Sequence, residues 1–143
     1  MGNRTFPVAS YSPQHLQYGC YNAAVTAWHL ADWVYADATV EQRAVLNIKT
    51  LGDLQEKARS QCRELYLCYF LANASKHREV KFHIDRTVDA GVQSGMDSSD
   101  SIRTWEAFVD DGDTKRPAID IFVFAMSWWT GIIYQNKIAS GDE

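Results

Sequence analysis

The sequence predicts a mainly α protein: a helical bundle with a small β-hairpin or meander inserted before its last helix. Three observations predict it. Apolar residues recur at three- and four-residue steps from Leu16 to Val34 and again from Leu54 to Tyr69. The period switches to two at Val80, Phe82 and Ile84, which alternate with Lys81 and His83. From Ile119 to Ile133 the chain is apolar on nearly every side, as a core helix is.

The whole chain of 143 residues fits one domain with room for a core. Residues 1–11 read as an N-terminal arm. Residues 12–77 form the helical part, 78–113 the β-hairpin region with a flexible loop at 91–101, and 114–136 the C-terminal core helix. Ser12-Pro13 opens the first helix, because Ser caps free N–H groups and Pro suits the first helical position. That helix is expected to run to about Ala36. Thr39-Val-Glu-Gln42 matches a capping box and starts a short second helix. A fresh set of capping residues, Thr50-Leu-Gly-Asp53, opens the main helix, expected to run unbroken from about Gly52 to Ser75. Gly91 to Ser101 is polar and small, hence the loop. Ile102 to Val109 reads as a strand, ended by the turn Asp110-Asp-Gly-Asp113. Pro117 is placed in the first turn of the last helix, expected to end near Gln135.

Composition excludes several classes. A net charge of −4 argues against a general nucleic-acid coat. A local basic stretch remains, Lys76 to Arg86, with four Lys or Arg against two acids; it fits either a phosphate backbone or a solvated strand edge. Cys20, Cys62 and Cys68 are odd in number and lack CxxC spacing, so they read as reduced core thiols in a cytoplasmic protein. The opening Met1 to Pro7 has no apolar region of a signal peptide. The apolar run of the last helix is shorter than a membrane span and carries Asp120 near its start, so no membrane is expected. No HExxH or Cys/His ligand spacing occurs, and no Walker A loop or GxGxxG, so neither a metal nor a nucleotide cofactor is indicated. The aromatic C-terminal helix makes a homodimer through that helix the expected assembly, and a protein partner is a further expectation.

Two groups of residues could carry chemistry. Asn73 and His77 are four apart and stack on one helix face, with Lys76 and Arg78 beside them. An imidazole can take a proton from a ribose hydroxyl or give one to a leaving oxygen, and Lys or Arg can hold the phosphate. Helix termination explains the same residues, since basic side chains suit the last carbonyls. The second group is His29 and Asp32 in Trp28-His-Leu-Ala-Asp-Trp33. There a carboxylate one turn away can orient the ring. A buried polar pair flanked by two tryptophans, setting helix register, is the structural alternative.

At Ala72-Asn-Ala-Ser-Lys-His77 the sequence resembles the HEPN superfamily of helical RNases and nucleotide-binding proteins. Their motif is an Arg, a polar residue such as Asn, three variable residues and a His. Asn73 and His77 match; the Arg position holds Ala72. Arg63 lies 14 residues before His77, about 21 Å along a helix. Trp28-His29, Asp32-Trp33, Asn73 and Lys76-His77 together also resemble a set of bacterial and phage helical proteins. The HEPN resemblance implies a helical bundle, dimerisation, and service in toxin–antitoxin or anti-phage systems. It implies catalytic roles for His77, Asn73 and Arg78, with RNA as the ligand, and the same surface offers Lys76, His29 and Asp32 for binding. A non-catalytic protein-interaction or regulatory module is the other expectation.

Overall fold

The computed structural model describes residues 13–76, 88–96 and 103–140. It is mainly α, with one small antiparallel sheet. The element order is α1 (Pro13–Asp37), α2 (Val40–Leu46), α3 (Leu51–Gln61), α4 (Arg63–Lys76), β1 (Val88–Met96), β2 (Arg103–Asp111), β3 (Thr114–Pro117) and α5 (Ala118–Ser140).

The helix starts follow from side chains that accept orphan N–H groups. Thr39 caps α2 and Thr50 caps α3, each in a reciprocal capping box, with Gln42 and Asp53 reaching back. Asp53 Oδ2 accepts from the backbone N–H of Lys49 and of Thr50, at 2.8 and 2.9 Å. Those two bonds hold its carboxyl below the usual range. Asn47 ends α2 in the left-handed conformation, φ 55°, and the Ile48 N–H closes the cap on the Arg43 carbonyl.

The helix expected over 52–75 is two helices. Cys62 adopts extended dihedrals, φ −130° and ψ 107°, and the axis turns there. Neither Gly nor Pro marks the break. Tertiary contacts hold it instead. Cys62 is buried, Arg63 Nη2 and Nε donate to Asp111 at 2.5 and 3.1 Å, and Arg116 Nη2 donates to Glu64 at 2.8 Å. These two ion pairs clamp the start of α4 onto β2 and β3.

The sheet also departs from expectation. Gly91 to Met96 belongs to β1 rather than to a loop, and pairs antiparallel with Arg103 to Phe108 of β2. Gly91 sits opposite Phe108, whose ring would lie 2.5 Å from any Cβ at that position. A glycine here therefore makes room for an aromatic ring rather than breaking the strand. Asp111 and Thr114 flank a two-residue turn, with Gly112 at φ 62°. Pro117 is the last residue of β3, on an edge strand where no ladder N–H is required, and α5 begins at Ala118. The arm at 1–11, the strand expected at Val80 to Ile84 and the rest of the expected loop lie outside the described residues.

One core joins all of this. Cys20, Ala24, Ala27, Trp28, Ala31 and Val34 of α1 pack with Leu54 and Ala58 of α3 and with Leu65, Cys68 and Leu71 of α4. Ala90 and Val109 come from the sheet, and Ile121, Ala125, Trp129 and Ile132 from α5. No described helix is long and apolar enough to cross a membrane.

Burial pushes the Glu64 carboxyl up, but hydrogen bonds from Arg116, its own backbone N–H and Cys62 outweigh that and hold it below the ordinary 4.5. A depressed carboxyl contributes stability above its unfolded pKa and loses it as pH falls through the folded one. Glu64→Gln is therefore expected to cost about 1–2 kcal/mol at pH 7. It is also expected to flatten the loss of stability below pH 4.5. Urea unfolding of both proteins at steps of pH checks this; parallel pH profiles would refute it.

Candidate functional site

The site is built from α1, α3 and α4. Tyr21 of α1 and Arg63 of α4 both reach the end of the sheet, at Asp89 and Asp111. Further along, Trp28 of α1 meets Tyr69 of α4 with ring centroids 4.9 Å apart. The two helices therefore leave the sheet in the same sense. Asp32 and Asn73 each lie one turn beyond that aromatic contact, at the same end of the helix pair.

His29 Nδ1 and Asp32 Oδ2 are 3.0 Å apart. Their side chains are 44% and 45% exposed, so the pair is open to water rather than sealed. Only one of the two flanking tryptophans is buried. Trp28 is in the core, while Trp33 is 76% exposed. The pair is therefore not the buried one that the structural alternative expects. An imidazole held by a carboxylate and reachable from solvent can bind a phosphate oxygen or exchange a proton.

Asn73 is half-buried on α4. Lys76 is the last residue of that helix. His77 and Arg78 lie outside the described residues; of the predicted residues the structure pairs His29 with Asp32, and Asn73 lies at the same end of the α1–α4 pair. Ala72, at the place of the HEPN arginine, is 1% exposed and belongs to the core. Arg63 is committed to Asp111 and stacks 4.3 Å from the Tyr66 ring centre.

The sequence gives no hint of Arg59. Its guanidinium lies 4.7 Å from the centre of the Tyr69 ring, the same ring that holds Trp28. It donates to Glu56 at 2.5 Å, while its buried Nε has no hydrogen-bond partner. The Arg59–Tyr69–Trp28 stack adds a cation to the aromatic contact between α1 and α4. Spacing could not show this, because the contact depends on the turn at Cys62.

The thiols are inert. Burial pushes Cys20 up to about 11 and Cys68 up to about 12, so neither is a nucleophile at neutral pH. Among the described residues no three His, Cys, Asp or Glu side chains are placed to hold a metal ion. Compared with protein-family models, curated proteins and solved structures, the chain matches none.

An exposed pair contributes little to folding. His29→Ala and Asp32→Ala are each expected to change unfolding free energy by less than about 1 kcal/mol, against about 3–5 for Trp28→Ala. Urea denaturation measures all three. A loss above about 2 kcal/mol for Asp32→Ala would return the pair to a structural role.

Proposed function

We propose that this chain is a HEPN-like cytoplasmic protein that binds RNA and cleaves it without metal, in a toxin–antitoxin or anti-phage setting. The observation that supports it best is the His29–Asp32 pair, 3.0 Å apart and open to solvent, at the end of the helix pair that carries Asn73. Metal-independent RNA cleavage needs one group to take the 2′-hydroxyl proton and one to protonate the departing 5′ oxygen. The 2′ oxygen attacks phosphorus, the bond to the 5′ oxygen breaks, and a cyclic phosphate results. His77 and His29 are assigned these two proton transfers. Asp32 orients His29, Asn73 positions the ribose or phosphate, and Lys76 and Arg78 hold the phosphate charge.

A second reading is favoured by one observation. Ala72 is sealed in the core where the motif has its arginine, so no guanidinium can occupy that place without unpacking α4. Under that reading the same surface binds RNA or protein and performs no chemistry.

The test uses the purified full chain with total tRNA and an unstructured RNA, in the presence of a chelator. Cleavage is expected, lowered about 10²–10⁴-fold in His77→Ala or His29→Ala with the fold intact by circular dichroism. Binding without cleavage would transfer the assignment to the non-catalytic module. Neither binding nor cleavage would remove RNA from the account.

A further inference from the structure

One face of α5 is not used by the core. Ile119, Val123, Met126 and Ile133 are 67%, 55%, 44% and 43% exposed, although they are large and apolar. With Thr130 and Lys137 they recur at steps of four, three, four, three and four. That is the alternation of a coiled-coil seam, facing away from the buried line Ala118, Ile121, Ala125, Trp129 and Ile132. Sequence periodicity hides it, because two apolar stripes on one helix read as a helix apolar all round.

The polar atoms on this face are already satisfied. Ser127 Oγ donates to the Val123 carbonyl at 2.8 Å, and Thr130 Oγ1 to the Met126 carbonyl at 2.9 Å. Both hydroxyls are thus folded back onto their own helix, so a dry contact would strand neither. A shallow groove of about 520 Å³ runs along Phe122, Val123, Met126, Ser127 and Thr130.

We infer that this face binds a second copy of the same chain, α5 against α5, antiparallel about a two-fold axis at residue 128. The seam is self-complementary in that register. Thr130 falls opposite Met126 of the second copy, Val123 opposite Ile133, and Lys137 opposite Ile119. Asp120, in the first turn, then meets the end carrying Lys137, in the last turn. A parallel pair would set Asp120 against Asp120 and Lys137 against Lys137. The isologous contact also closes on itself. Trp33 and Ile133 line a neighbouring cleft of about 340 Å³ with Lys137, placed to receive Ile119 of the second copy. Trp33, Ile119, Val123, Met126, Ile133 and Tyr134 are all large, apolar or aromatic, and exposed, and an exposed apolar patch of this kind marks an interaction surface. The roughly 800 Å² per partner of a stable interface would take these side chains together with a polar rim. The inference is independent of the RNA reading.

Sedimentation of the full chain at micromolar concentration is expected to show a dimer. Val123→Glu, at an exposed position, is expected to raise the dimer Kd more than about 100-fold while circular dichroism stays unchanged. Asp120→Lys weakens the dimer roughly 3–10-fold, and Lys137→Asp added to it restores the affinity. Ile119→Cys protein mixed with Lys137→Cys protein cross-links with a short bis-maleimide. Ile119→Cys alone does not, because its two copies stand about 27 Å apart in this register. The three native thiols are buried and do not compete. A monomer, with or without binding to phospholipid vesicles, overturns the inference, as does a dimer that survives Val123→Glu. Self-cross-linking of Ile119→Cys overturns the antiparallel register.

Discussion

The arrangement of this protein depends on one buried hydrogen bond. Trp129 Nε1 donates to the Ala27 carbonyl at 2.9 Å, deep between α5 and α1. An indole sealed in a core needs a partner for its N–H, and a mid-helix carbonyl has a second lone pair to give. The bond therefore fixes both the rotation and the height of α5. Ile121, Ala125 and Ile132 turn inward with Trp129, and everything half a turn away is turned outward. At the far end, Gln42 Nε2 donates to the Asn136 carbonyl at 3.1 Å and ties α2 to the same helix. Any account of the exposed apolar face begins with this constraint, since a freely rotating α5 would bury those residues itself.

A second constraint places the sheet. Two Arg–carboxylate pairs join α4 to β2 and β3, and Gln17 and Tyr21 of α1 reach Ala90 and Asp89 of β1. The sheet thus sits across the start of the α1–α4 pair. Among the described residues no strand covers the other end of that pair, with Asp32 and Asn73. Lys115 lies 4.2 Å from the Phe108 ring centre, so the ring that fills the space over Gly91 is covered by a cation rather than left bare. Site geometry here is a consequence of where the sheet is clamped.

Most elements were legible because their signals are local. Thr39 and Thr50 announce capping boxes within four residues, and both form. The period of α1 marks its buried stripe directly. What was illegible depends on distant partners. The turn at Cys62 is held by Asp111 and Arg116, some fifty residues away in sequence. Gly91 looked like a loop residue because glycine disfavours strands on its own; only the facing Phe108 makes it fit. The site shows the same division. Spacing placed His29 near Asp32, and the pair forms, but spacing said nothing of Trp33 facing water or of Arg59 reaching Tyr69.

The two surfaces that carry function in this account both involve α1. Ala27 anchors α5; His29 is two residues on, a rotation of about 200° along the helix. The carbonyl that holds Trp129 and the imidazole paired with Asp32 therefore leave α1 on opposite sides. A copy docked on the outer face of α5 would sit beyond the anchored side and approach α1 at Trp33, one turn from His29. Trp33 therefore stands at the edge of both surfaces, whereas Val123 belongs to the assembly face alone and His29 and Asp32 to the site. Substitution at Val123 tests assembly without touching the site, because the buried Trp129–Ala27 bond holds each surface in place without belonging to either.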